Sequence, residues 1–163
     1  MLFRLSSEPC PKLEYGNIRA ALGDREVNAP GDVRSTIIGI RKAKLPDPAE
    51  TGSAGSFFKN PVISAEQFER IEREARAESG PDCRVPHFAV EDGVKVPAAW
   101  MIERCGLKGE RLGGAAVYEK QPLVIVNLTG DATPEDILSL ERRVIDAVRD
   151  KFGVELHPEV EHL

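Results

Sequence analysis

The sequence predicts an α+β fold with an antiparallel sheet, because its strands and helices are mixed with hairpins rather than alternating strictly. Two pairs of short β-like segments flank turn signals, 85–90 with 94–96 and 115–118 with 123–126. Helical patterns lie around these pairs. A chain of 163 residues with 41% hydrophobic content is long enough to bury one core. We therefore expect one compact unit.

The strongest helix signal begins at Thr133. Thr133 is a predicted N-cap, Pro134 occupies the first helical position, and Glu135 and Asp136 suit the positive end of the helix dipole. Apolar residues then recur every four positions, at Leu140, Val144, Val148 and Phe152. This pattern predicts a helix with one buried face that ends at Gly153.

Three further helices are expected. Ser64 can accept a hydrogen bond from the N–H of Gln67, so a helix should run from there to about Glu78, with Phe68, Ile71 and Ala75 buried. An earlier helix should end at about Lys44 with a basic last turn, and a short one should span Ala98–Cys105. Leu2–Leu5 and Val154–Leu156 are predicted as strands.

The stretch from Pro46 to Pro61 is the most unusual part of the sequence and is predicted to be a loop. It holds the sequence GSAGS followed by FFKNP. Its two glycines would let the backbone approach a ligand closely. A flexible linker is the alternative interpretation.

Composition argues against several classes of function. The formal net charge of −5 disfavours nucleic-acid binding, since phosphates attract basic surfaces. The longest aliphatic run, Leu123–Val126, is far shorter than the roughly 20 apolar residues that cross a bilayer, so no membrane span is expected. The amino end is too short for a secretory signal, which makes the cytoplasm the expected location. Three cysteines without a C-x-x-C pair are expected to be reduced thiols, and no metal site is expected.

Common cofactor and nucleophile motifs are absent from the sequence, including G-x-G-x-x-G and G-x-S-x-G. Several lysines instead stand beside Gly, Pro or Asn, namely Lys44, Lys59, Lys95 and Lys108. Ammonium groups that converge on one loop would suit a diphosphate. The alternative is that each lysine is simply exposed to solvent.

Six blocks of the sequence follow the signatures of one known family in order: Leu13–Asn17, Arg41–Pro48, Gly52–Pro61, Val94–Ile102, Gly106–Gly114 and Leu156–Val160. The chain resembles UDP-N-acetylenolpyruvoylglucosamine reductase over essentially its whole length. The heptapeptide Gly55–Pro61 is the most specific of the matches.

The resemblance implies that 1–163 is the carboxy-terminal, substrate-binding domain of this reductase, with 1–30 open to a second interpretation as the end of a preceding FAD-binding region. In the family, NADPH reduces FAD, and the flavin passes hydride to UDP-N-acetylglucosamine enolpyruvate in peptidoglycan synthesis. By resemblance, Ser56 donates the proton to the α-carbon and Glu159 stabilises the enol form of the carboxylate. The residues expected to bind substrate are Tyr15, Arg41, Lys44, Asn60, Lys95 and Gln121.

Two positions depart from the family pattern. Glu161 stands where a basic residue is expected, and Phe88 stands where a tyrosine is common, so stacking could persist there without the hydroxyl hydrogen bond. The family's catalytic arginine and its FAD diphosphate-binding segment are expected in the flavin-binding portion, which this sequence lacks.

Three functions remain open from the sequence. The chain could serve as the substrate-binding part of the reductase, inactive by itself and completed by a separate FAD-binding domain. It could instead be a UDP-sugar binding module or split subunit without redox activity of its own. A non-functional remnant with an exposed apolar interface is the third.

Overall fold

The computed structural model describes residues 2, 4, 6–8, 10–14 and 17–161. Packing divides the chain into two units, Met1–Leu45 and Pro46–Leu163. This division concerns packing alone, and the assignment of 1–163 to one substrate-binding domain stays a prediction. Within the described ranges, no helix is both long and apolar enough to cross a membrane.

Among its described residues, the first unit contains two helices, α1 (Ile18–Leu22) and α2 (Pro30–Lys44). The carboxylate of Asp32 accepts hydrogen bonds from the N–H groups of Asn28 (3.0 Å) and Ala29 (2.9 Å), which fixes the start of α2. The predicted helix ending at Lys44 is confirmed, whereas α1 was not predicted. Part of the strand predicted for Leu2–Leu5 lies outside the described residues.

Over its described range, 46–161, the second unit holds seven strands: β1 (Gly52–Ser56), β2 (Val62–Ile63), β3 (Phe88–Val90), β4 (Gly93–Lys95), β5 (Arg111–Leu112), β6 (Ala115–Val117) and β7 (Val124–Asn127). They form a four-stranded sheet in the order β1-β7-β6-β5 and a three-stranded sheet in the order β2-β4-β3. Every pairing is antiparallel. The α+β class and both predicted hairpins are confirmed.

Three helices accompany the sheets: α3 (Ala65–Ser79), α4 (Ala98–Arg104) and α5 (Pro134–Phe152). Each begins close to where the sequence predicts. The Ser64 hydroxyl accepts a 3.1 Å hydrogen bond from the N–H of Gln67, and the Thr133 hydroxyl accepts one of 3.2 Å from Asp136. The predicted apolar face of α5 is buried, and it packs in one core with residues of the larger sheet, among them Ala115, Val117 and Ile125.

Two adjacent glycines let the larger sheet approach the start of α5. A Cβ at Gly114 would stand 2.5 Å from Thr129 Oγ1 and 2.7 Å from Ala132 Cα, and a Cβ at Gly113 would collide with the Asp136 carboxylate. The same carboxylate accepts hydrogen bonds from the N–H groups of Gly114 (3.3 Å) and Thr133 (2.9 Å). Only glycine permits this spacing.

Two of the predicted secondary-structure assignments are wrong. Gly52–Ser56 is an edge strand paired with β7, not a loop or a flexible linker. Glycine and serine have low β propensity, so the strand depends on pairing with a neighbour that its own sequence does not reveal. Val154–Leu156 is not a strand, although Val154 and Leu156 are buried and Glu155 is exposed as alternation requires. Pairing instead begins beyond it, at a bridge between Phe58 and Pro158.

Candidate functional site

Ser56 ends β1 at an exposed position, directly before two buried rings. Its Cα partner is Val124, and the register shifts between Ser53 and Ser56, where Gly55 adopts a φ of 80° that favours glycine. Phe57 donates its N–H to the carbonyl of Leu123 at 2.8 Å, and the side chains of Phe57 and Phe58 are both buried. The strand is therefore anchored immediately after Ser56, while Ser56 itself faces solvent.

The carboxy-terminal segment runs antiparallel beside the residues that follow Ser56. The N–H of Glu159 donates to the carbonyl of Phe57 at 2.8 Å, and the N–H of Lys59 donates to the carbonyl of His157 at 2.9 Å. Glu159 is exposed. The structure thus brings together the segments that carry Ser56 and Glu159, which are 103 positions apart in the sequence (159 − 56).

Asn60 has a structural role that also fixes the direction of its amide group. Its Oδ1 accepts a 2.9 Å hydrogen bond from the N–H of Ala98, the first residue of α4. Because a backbone N–H needs an acceptor, the oxygen must be the atom that points to α4, and the NH₂ group must point elsewhere. Among the described residues, no group accepts a hydrogen bond from that NH₂ group, so it can donate to a ligand.

Lys95 lies on a face of the three-stranded sheet that also carries exposed apolar side chains. Its Cα partners are Val62 on β2 and Phe88 on β3, and directly paired residues share a face of the sheet. Phe88 is 65% exposed and Val62 is 45% exposed. The N–H of Val96 donates to the carbonyl of Pro61 at 3.0 Å, which holds this sheet beside the segment of Asn60.

Gln121 lies in the turn between β6 and β7. Its N–H donates to the carbonyl of Tyr118 at 3.2 Å, and its own carbonyl accepts from the N–H of Val124 at 3.0 Å. The side chain is half-buried. This turn leads directly to Leu123, whose carbonyl binds Phe57, so Gln121 is close in sequence to the anchor of the Ser56 strand.

Two further predicted site residues belong to the first unit. Arg41 and Lys44 are exposed in the last turn of α2, in the first unit. Tyr15 lies outside the described residues. The ammonium group of Lys108 forms a 3.0 Å ion pair with Glu103, so the ion pair accounts for this lysine without a ligand.

Sequence reasoning missed the apolar part of the Lys95 face. Val62 and Val90 are exposed with Phe88, and β2 was not predicted because a two-residue strand has no periodicity to detect. The only available signal was the spacing of Phe88 and Val90, which places both on one side of a strand. Among the described residues, no group of three or more His, Cys, Asp or Glu side chains could hold a metal ion.

Comparison with known proteins decides the family. The family model described as "UDP-N-acetylenolpyruvoylglucosamine reductase, C-terminal domain" matches residues 47–163. The chain belongs to this family. The resemblance found in the sequence is thereby confirmed, and the match starts one residue after the start of the second unit.

Three relatives named UDP-N-acetylenolpyruvoylglucosamine reductase illustrate the similarity. The chain is 44% identical over 163 residues to the one from Porphyromonas gingivalis strain W83, covering 99% of this chain and 46% of the relative. The chain is 45% identical over 159 residues to the relative from Bacteroides fragilis, and the match covers 97% of this chain and 46% of that relative. The chain is 48% identical over 162 residues to the relative from Burkholderia ambifaria strain MC40-6, and the match covers 96% of this chain and 44% of that relative. The chain spans about half the length of the curated relatives it matches.

Proposed function

We propose that this chain supplies the substrate-binding part and the proton donor for the reduction of UDP-N-acetylglucosamine enolpyruvate to UDP-N-acetylmuramate in peptidoglycan synthesis. FAD and NADPH would be bound mainly by a polypeptide that resembles the other half of the relatives. The observation that carries this proposal is the 2.8 Å hydrogen bond between Glu159 and Phe57, because it places the carboxylate residue beside the strand of Ser56. By itself, the chain should not turn over.

The backbone beside Ser56 leaves room for a flat cofactor ring at this end of the strand. Nothing lies within 4 Å of the position that a Cβ at Gly55 would occupy, so the backbone before Ser56 is open to close approach. A bound reduced FAD would supply the hydride for the enolpyruvyl β-carbon. Ser56 and Gly55 are the residues of this chain that we propose to face it.

Ser56 is proposed to donate the proton that completes the reduction at the α-carbon. A serine hydroxyl is a weak acid, so a cation or a proton relay must stabilise the alkoxide that forms. Lys59, three residues away and exposed, offers an ammonium group on the same segment.

Glu159 is proposed to bind the enol form of the substrate carboxylate. Hydride addition to the β-carbon leaves negative charge on the α-carbon and the carboxylate oxygens, and a proton shared between Glu159 and the substrate carboxylate would stabilise the enol form until the α-carbon is protonated. This preference for the intermediate over the substrate is what lowers a barrier. Glu161, two residues after Glu159, carries a negative charge at a position where the family pattern has a basic residue.

The nucleotide part of the substrate is proposed to lie along the second sheet. The free NH₂ group of Asn60 and the ammonium group of Lys95 can each donate to diphosphate oxygens. Phe88 presents an exposed ring that can stack on a planar base. Arg41, Lys44, Gln121 and Tyr15 are proposed as further contacts.

Calorimetry with UDP-N-acetylglucosamine enolpyruvate tests the binding part of the proposal. We expect the unmodified chain and Ser56→Ala to bind, and Lys95→Ala to lose most of the affinity. Lys108→Ala is the matched control, because this lysine is already paired with Glu103 and its removal should leave binding unchanged. Equal loss in Lys95→Ala and Lys108→Ala would contradict the proposed pocket.

A binding module without redox activity is the second candidate function. The observation that favours it is that Asn60, Lys95 and the exposed ring of Phe88 could hold a nucleotide without any flavin. Adding the FAD-bearing half of a relative in trans separates the two candidates. NADPH oxidation that depends on both polypeptides supports the reductase, whereas binding without oxidation supports the module.

A further inference from the structure

Ser56 and Tyr118 lie on the same face of the four-stranded sheet. Ile125 on β7 and Val117 on β6 belong to the core that contains the buried face of α5. Because successive side chains of a strand point to opposite faces, Val124 and Tyr118 point away from that core. Ser56 is the Cα partner of Val124, so its side chain lies on this second face as well.

Ser56, Val124 and Tyr118 form one row across the sheet. The N–H of Tyr118 donates to the carbonyl of Val124 at 2.8 Å, so the pairing of β6 with β7 continues one residue beyond β6. Ser56 and Tyr118 therefore flank Val124, with their Cα atoms two strand spacings or roughly 10 Å apart. Val124 is 1% exposed although it points away from the core, so side chains on this face cover it. Ser56 is too short for this, whereas the half-buried Tyr118 has a long side chain directly beside Val124.

The phenol hydroxyl of Tyr118 is available for a functional contact. Among the described residues, none forms a hydrogen bond with it. Tyr118 lines an open cavity of about 110 Å³ together with Ala116 and Val126, which pair directly and lie on the Ser56 face one row away from Val124. A cavity of this size has room for a few water molecules, so the hydroxyl can exchange its proton with solvent.

We propose that Tyr118 resupplies Ser56 with the proton that Ser56 gives to the substrate, through one water molecule held between the two hydroxyls. The Ser56 O–H bond breaks as its proton forms a C–H bond at the α-carbon. The water gives a proton to the Ser56 oxygen and takes one from Tyr118, because a phenol is a stronger acid than an aliphatic hydroxyl. Solvent in the cavity then reprotonates the phenolate. This inference rests on the proposed function, since it identifies the proton relay that Ser56 requires there.

Substitutions at Tyr118 test the relay by NADPH oxidation, with the chain completed by the FAD-bearing half of a relative. Tyr118→Phe removes only the hydroxyl, so it should lower kcat by about 10-fold or more and leave KM within about twofold. It should also raise the solvent deuterium isotope effect on kcat, which a merely structural role would not change. Tyr118→His keeps a proton donor on a ring and should retain more of kcat. Glu119→Gln is the matched control, because Glu119 lines the same cavity and its charge has no part in the relay.

A high-resolution crystal structure of the full chain tests the geometry without cofactor or turnover. One ordered water should bind both hydroxyls, and two hydrogen bonds of about 2.8 Å limit the distance between the two oxygens to about 5.6 Å. Hydroxyls that point apart, or an unchanged kcat in Tyr118→Phe while Ser56→Ala loses activity, would overturn the relay but not the proposed function. Full activity of Ser56→Ala, or no oxidation by the completed chain, would overturn both.

Discussion

The side-chain oxygen of Asn60 accepts a hydrogen bond from the backbone N–H of Ala98 at 2.9 Å, and so caps α4 from 38 positions away. One amide group thereby joins the segment after Ser56 to the helix after Lys95. The amide oxygen is used by the helix cap, and the amide nitrogen stays available to donate to a ligand. The two ends of the amide therefore have separate roles, one in stability and one in binding.

Substitutions at Asn60 should separate these tasks. Asn60→Ala removes the cap and should lower the free energy of unfolding by about 1 kcal/mol. Asn60→Asp keeps an oxygen for Ala98 but loses the NH₂ donor, so it should retain stability and weaken UDP-sugar binding. Denaturant unfolding and calorimetry measure the two effects; equal stability of the Ala and Asp variants would contradict the capping role.

Gly114→Ala should strongly destabilise the second unit. The added methyl group would stand 2.5 Å from Thr129 Oγ1 and 2.7 Å from Ala132 Cα, and the backbone atom cannot move without shifting the start of α5. We expect a loss of about 1–3 kcal/mol in urea unfolding. Gly52→Ala is the control, because its nearest contact would be an ordinary 3.8 Å from the Asn127 Cβ. An equally large loss of unfolding free energy in Gly52→Ala would contradict the steric explanation for Gly114.

Asp136 should make stability depend on pH in the acid range. Hydrogen bonds from the backbone and hydroxyl of Thr133 and from the N–H of Gly114 hold the pKa of Asp136 below its ordinary value of 3.8. A lowered pKa means that the stabilisation is present above the unfolded-state pKa and is lost as pH falls through the folded-state pKa.

Asp136→Asn removes this titration while keeping an acceptor for the helix start. The stability advantage of the unmodified chain over Asp136→Asn should therefore be largest at neutral pH and should shrink as pH falls below 3.8. Unfolding curves of both proteins across this range measure the difference. A difference that is constant with pH would show that the Asp136 charge does not contribute.

An element of this structure can be predicted from the sequence when the residues that determine it lie within the element or next to it. The α5 helix was predictable at both ends, because its cap, its proline, its apolar spacing and Gly153 all lie within the helix or next to it. The strand Gly52–Ser56 was not predictable, because its five exposed small residues have no strand pattern and form a strand only by pairing with β7. The segment Val154–Leu156 shows the converse, with a strand-like pattern but no strand beside it.

The candidate site shows the same limit. Ser56 and Glu159 were proposed from a resemblance, and no local pattern could have shown that their segments exchange hydrogen bonds. The cap from Asn60 to Ala98 was likewise invisible, because a long-range bond from one side chain has no sequence signature. Their catalytic and binding roles stay predictions.

The most direct test of the central claim is a double-mutant cycle of Ser56→Ala and Glu159→Gln. Steady-state NADPH oxidation would be measured with the chain completed by the FAD-bearing half of a relative. If both side chains act on one substrate in one site, the double variant should lose much less activity than the product of the two single losses. Losses that multiply, or single variants that retain full activity, would contradict the claim.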